Sequence, residues 1–133
     1  MVKAITYILE NDATVQGLVG LKTHEDVTAY HKIYPVVAPS TEVAPYCAVR
    51  LIGRTTIARD CDDVYQINVV SYATSYDAVT TLNAAVRSAI EATAAATING
   101  VAFGFANAVN EADDFVKENG LYAKITTFEA QGT

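Results

Sequence analysis

Residues 63–96 read DVYQINVVSYATSYDAVTTLNAAVRSAIEATAAA, and the reading of this stretch decides the fold. Its first part alternates. Tyr65, Ile67, Val69, Ser71 and Ala73 fall on one side of an extended chain, and Val64, Gln66, Asn68, Val70 and Tyr72 on the other, because successive side chains of a strand point to opposite faces. The first set is mostly apolar and is expected to face the core. Thr74 followed by Asp77 matches the Ser/Thr-x-x-Asp/Glu capping pattern, so Thr74 is expected to cap a helix starting near Ser75. Val79, Leu82, Val86, Ala89, Ile90 and Thr93 then recur at steps of three and four, while Thr80, Thr81, Asn83, Arg87, Ser88 and Glu91 fall elsewhere. That spacing predicts one packed helix face and one wet face. Burying each aliphatic side chain of the stripe contributes roughly 1.5–3 kcal/mol before ordering entropy is subtracted.

Upstream, Ala4, Ile5, Ile8 and Leu9 and then Val15, Leu18 and Val19 form a helical stripe interrupted at Asn11-Asp12. A broken helix or two short ones, closed by Gly17 or Gly20, is expected. The chain turns polar from Leu21 to Tyr30, and prolines at 35, 39 and 45 confine the next segment to an edge strand or loop. Tyr46 to Arg54 alternates again, with Cys47, Val49 and Leu51 on one face and Tyr46, Ala48, Arg50, Ile52 and Arg54 on the other. This strand is expected to pair antiparallel with the one after Asp63 through a long, solvated connection carrying Arg59-Asp60-Cys61-Asp62-Asp63.

Downstream, Asn99-Gly100 is a turn signal ahead of a strand with Val101, Phe103 and Phe105 on one face. Asn110 to Asn119 is acidic and reads as a turn, and Gly120 introduces a closing β-rich segment, Leu121 to Phe128. The expected class is α+β: a mainly antiparallel sheet of four to five strands with helices packed on one face. At 133 residues the chain is expected to be one domain, residues 1–133.

Composition narrows the function classes. The formal charge is −6 and the nine basic residues are scattered, which argues against a nucleic-acid footprint. Hydrophobic residues make up 51%, enough for a real core. The N-terminus lacks the apolar run of a signal peptide and no segment approaches the ~20 apolar residues of a membrane span, so assembly in a cytoplasm is expected. Cys47 and Cys61 permit a disulfide, but two free thiols are the expected state in a reducing compartment.

His24, Glu25, Asp26 and His31 have the look of a metal cluster, yet His-x6-His does not put two imidazoles on one helical face. Asp60, Asp62 and Asp63 lack the glycine and terminal glutamate of an EF-hand loop. Cys47 lies on an apolar strand face and Cys61 among aspartates, neither a setting for a nucleophile. No glycine-rich phosphate loop or catalytic triad order is present. The expectation is a non-enzymatic chain without a cofactor or metal, one that works through its faces. Arg50, Arg54, Gln66 and Asn68, read as sharing the non-core faces of adjacent strands, and Asp60, Asp62 and Asp63 in the connection are the candidate interface residues.

Two groups of motifs resemble a known family. Ile33-Tyr34-Pro35, a loop with Pro39, and Pro45-Tyr46-Cys47-Ala48-Val49 with Gly53 form the first. Tyr65-Gln66-Ile67-Asn68-Val69, running through Tyr72-Ala73-Thr74-Ser75-Tyr76 into Val86-Arg87-Ser88-Ala89-Ile90, forms the second. Together with Leu18-Val19-Gly20 and Gly120-Leu121-Tyr122, they resemble the tail-completion, or tail terminator, proteins of long-tailed bacteriophages over nearly the whole chain. The resemblance implies a subunit of a ring, commonly a hexamer, that caps the head-proximal end of the tail tube in the virion, stops tube polymerisation and offers a joining surface to the head. Its implied partners are further copies of itself, the tail tube protein and a head-completion or neck protein, with DNA passing through the lumen unbound. The polar insert 23–32 and an alanine- and threonine-rich helix end, Ala92 to Thr97, depart from the family's pattern. Another neck or head–tail connector protein, or a small dimeric α+β-barrel binding protein or enzyme, are the alternatives.

Overall fold

The computed structural model describes residues 1–23, 29–39, 42–56 and 63–132. Helix α1 (Val2–Glu10) buries Ala4, Ile5 and Leu9 and gives way at Asn11. Asp12 then caps α2 (Ala13–Val19), its carboxylate accepting the Val15 N–H at 3.0 Å. The interruption at Asn11-Asp12 is therefore a boundary between two helices. Gly20 leaves α2 with φ +75°, a conformation that favours a residue without Cβ.

Two short strands follow, β1 (Leu21–Thr23) and β2 (Ala29–His31), paired antiparallel in a small sheet of their own. The main sheet is built from β3 (Ile33–Pro35), β4 (Tyr46–Thr56), β5 (Asp63–Ala73), β6 (Ala96–Ile98), β7 (Val101–Val116) and β8 (Leu121–Gly132), in the order β3-β4-β5-β8-β7-β6. Helix α3 (Tyr76–Glu91) lies between β5 and β6 in sequence.

This corrects the expected class. Half of the chain is strand, and the sheet is a six-stranded, mixed, curled half-barrel rather than four to five antiparallel strands with helices packed on one face. Three features account for the difference. Helix α3 stops at Glu91, and Ala96–Ile98, overlapping the expected helix end 92–97, forms the edge strand β6. Ile33–Pro35 joins as an edge strand parallel to β4, with Ile33 opposite Cys47 and Pro35 opposite Val49. The acidic stretch from Asn110, read as a turn, is the second half of β7 and pairs with β8 as far as Val116 opposite Leu121. Because most of that half is exposed, it shows no apolar alternation. The turn itself is confined to residues 117–120, with Gly120 at φ +68°.

Strand β5 is the centre of the sheet, flanked over its whole length by β4 and β8. Its side chains Tyr65, Ile67, Val69, Ser71 and Ala73 are buried, as the alternation predicts. Ile67 and Val69 share one core with Ile5 and Leu9 of α1, Val15 and Val19 of α2, Leu82, Val86 and Ile90 of α3, and Phe128 of β8. The cap of α3 is Ser75 rather than Thr74: its hydroxyl accepts the Ala78 N–H at 3.2 Å, and Asp77 sits in the first turn, where the helix dipole favours an anion.

Bulges redirect faces in two strands. One in β4 between Leu51 and Gly53 leaves Ile52 out of the pairing with β5. Two in β7, between Phe103 and Phe105 and between Ala108 and Asn110, break its alternation. Phe103 is buried and Phe105 is 47% exposed, so the expected common face of these two side chains does not exist. The turn into β7 is Asn99-Gly100, both at positive φ, as a two-residue hairpin loop demands.

Candidate assembly surfaces

Arg50 and Asn68 lie directly opposite each other on β4 and β5, and Asn68 lies opposite Thr127 on β8. The Thr127 hydroxyl donates to Asn68 Oδ1 at 2.7 Å. Gln66, next along, faces Gly53 on one side and Glu129 on the other. These side chains make a polar band across the face of the sheet turned away from the core, with Arg50 and Gln66 exposed.

Arg54 does not belong to that band. The bulge at Ile52 turns it to the other face, opposite Tyr65, whose ring lies 5.2 Å below the guanidinium. There Arg54 Nε donates to Asp63 Oδ2 at 2.6 Å, and a second guanidinium nitrogen contacts the same oxygen. Asp63 is buried, so this partner supplies what its carboxylate loses from water. The sequence-based candidates thus fall into two groups, Arg50-Gln66-Asn68 and Arg54-Asp63, and Asp60 and Asp62 lie outside the described residues, as do Cys61, His24, Glu25 and Asp26.

At the β3 side of the sheet Tyr46 stacks on Tyr72 with centroids 4.7 Å apart and meets the edge of Tyr34 at 6.5 Å. The Tyr34 hydroxyl donates to Glu42. Burial, with Tyr72 and Glu42 nearby, raises the Tyr46 phenol above its ordinary value. A hollow of about 170 Å³ beside this cluster is lined by Val36, Val37, Arg50 and Tyr72 among others. Cys47 lies beneath the sheet surface, its thiol pushed up to about 12 by burial and 3.7 Å from the Ser71 hydroxyl.

Sequence reasoning missed the polar ties between α3 and the outer strands. Asn83 is buried, accepts from the Thr126 hydroxyl at 2.8 Å and donates to Glu111. Arg87, one residue beyond a helical turn, lies 4.0 Å from the other Glu111 oxygen and donates to Glu91 at 2.6 Å. A second tie joins Tyr76, Asp113 and Lys124: the phenol and the ammonium donate to Asp113 at 3.0 and 2.7 Å. Phe115 and Tyr76 both pack on Tyr122. The signal was present. Asn83 stands four residues after Val79 and three before Val86, on the apolar stripe, and Glu111, Asp113 and Phe115 recur with the period of a strand.

A hollow of about 710 Å³ lies between α2 and α3, lined mainly by small side chains, among them Thr14, Thr81, Ala85 and Ser88. Among the described residues no three His, Cys, Asp or Glu side chains gather as a metal site, and no helix is long and apolar enough to cross a membrane. What the surface offers is polar bands, exposed aromatics and open strand edges.

No family model and no curated protein matches the chain. Among solved structures, a chain described as "Virion of native gene transfer agent (GTA) particle" superposes with a TM-score of 0.73 at 17% identity, covering 99% of this chain and 93% of that one. The two chains share a fold. At that identity the likeness concerns architecture from end to end, since almost the full length of each takes part, and function has to be argued from the surfaces.

Proposed function

We propose that this chain is a structural subunit of a phage-like virion, and within it the tail-completion protein that caps the head-proximal end of the tail tube. The observation that carries the reading is the end-to-end sharing of a fold with a chain of the gene transfer agent virion. The family resemblance of the strand and helix motifs points the same way. The chain is read as forming a ring, six copies where it follows the family's habit, that stops tube growth and meets a head-completion or neck protein. Its acidic charge of −6 suits a lumen through which DNA passes without adhering. The polar band of Arg50, Gln66 and Asn68 is proposed as a contact surface, together with the Arg54–Asp63 pair at the ends of β4 and β5.

The test is deletion of the gene from the parent particle, followed by electron microscopy. Overlong tubes and unattached, DNA-filled heads are the expected result. Tails of normal length that fail only to join heads would reassign the chain to the neck, and intact virions would overturn the virion reading.

A further inference from the structure

The two sides of the main sheet each end in an unpaired stretch of strand. On one side β3 covers β4 only at residues 47–49, and the Val36 N–H takes the Val49 carbonyl at 2.7 Å, so Arg50–Thr56 has no ladder partner on that side among the described residues. On the other, β6 covers β7 only at Val101–Phe103, leaving the rest of β7 to Val116 open beyond β8. Neither open stretch contains a lysine or a proline, although each carries a bulge and charged side chains. Both expose large apolar side chains: Leu51 at 45% and Ile52 at 52%, and Val109 at 53% and Phe115 at 46%. Their charges are opposite, with Arg50 and Arg54 on β4 and Glu111, Asp113 and Asp114 on β7.

We infer that these two edges are the two halves of one joint, the β7 edge of one copy adding to the β4 edge of the next. The inference rests on the ring reading above and specifies its contact. Within one subunit β4 and β7 run in opposite directions, so a rotation about an axis along the strands lays a neighbour's β4 antiparallel to β7. A contact between two different patches is heterologous, and such contacts repeat around a ring.

The caps on each edge fix the register. The incoming strand cannot pass Val49, which β3 occupies, and β7 ends at Val116, so Val116 meets Arg50. Leu51 then faces Phe115. The bulge takes up Ile52, which places Gly53 opposite Asp114 and Arg54 opposite Asp113. Leu51 and Phe115 both stand on the core-side face of their strands, as do Arg54 and Asp113, judged by their partners Ile67, Tyr122, Tyr65 and Lys124. One register therefore matches the apolar pair and an opposite-charge pair together, as cross-strand pairing favours.

The test is Leu51→Cys with Phe115→Cys in a Cys61→Ser background, oxidised and run on a denaturing gel, with each single variant as control. A ladder of covalent multimers ending at the ring number is expected from the double variant, and nothing beyond a dimer from either single one. Ile52→Glu, at an exposed position, is expected to shift sedimentation to the monomer mass with the melting midpoint unchanged. A folded double variant that gives no ladder while wild type sediments as a multimer overturns this joint and leaves the ring reading standing. Wild-type assembly unaffected by Ile52→Glu also overturns it. Wild type that stays monomeric with no ladder overturns the joint, and the tail role is then judged by the deletion phenotype alone.

Discussion

Asn83 stands where the stripe of α3 would place an aliphatic residue, and the reason is visible across the interface. Thr126 is fully buried and needs an acceptor for its hydroxyl, and Asn83 provides it while tying Glu111 to the helix. Grouping Asn83 with the wet face failed because residue type outweighed position, whereas the buried positions 79, 82, 86 and 90 were legible from spacing alone. Asn83→Ala is expected to lower stability by about 1–3 kcal/mol, measured by urea unfolding, because it strands a buried hydroxyl. Leu82→Asp goes further: an unpaired carboxylate in the core is expected to abolish folding, read by circular dichroism. Asp113 has a pH signature. Hydrogen bonds from Lys124 and then Tyr76 hold its carboxyl below the usual range, so the contribution is complete above the ordinary aspartate value of about 3.9 and is lost as pH falls through the lowered folded value. Asp113→Asn is expected to flatten the acid limb of stability against pH in that window.

At the scale of elements, what could be read depended on burial. Strand β5 and helix α3 each have one face in the core and were visible as periodicities of two and about 3.6. The second half of β7 has no buried face and was taken for a turn, since acidic residues are rare in strands and the stabilising partners, Asn83, Arg87, Tyr76 and Lys124, lie far away in sequence. Bulges were equally hidden. They transfer Arg54 and Phe105 to faces that strict alternation denies them. The cap of α3 supplies a paired measurement: Ser75→Ala is expected to cost about 1 kcal/mol, and Thr74→Ala a few tenths at most, in the same denaturation assay.

For the whole molecule, the helices, the central hairpin of β4 and β5 and the closing strand were legible, and the closure of the sheet into a curled half-barrel was not. Curl is a property of six strands acting together, including a three-residue edge that the prolines announced but whose parallel pairing no local pattern shows. Of the candidate residues, Arg50 and Asn68 lie opposite each other on adjacent strands, as their alternation placed them, while the acidic edge of β7 went unseen. Since the joint inferred here brings opposite charges together, raising ionic strength from about 0.05 to 0.5 M is expected to shift assembly toward monomer, measured by sedimentation.

The acidic half of β7 is held at one register by its ties to α3 and β8. A slip of one residue along β8 would swing Glu111 and Asp113 away from Asn83 and Lys124 and break both ties at once. The strand therefore behaves like a toothed rack that engages its housing at one setting. In the proposed joint, an edge indexed in this way would fix the vertical offset between neighbours, and it is that offset, more than the strength of any contact, that separates a flat washer from an endless screw.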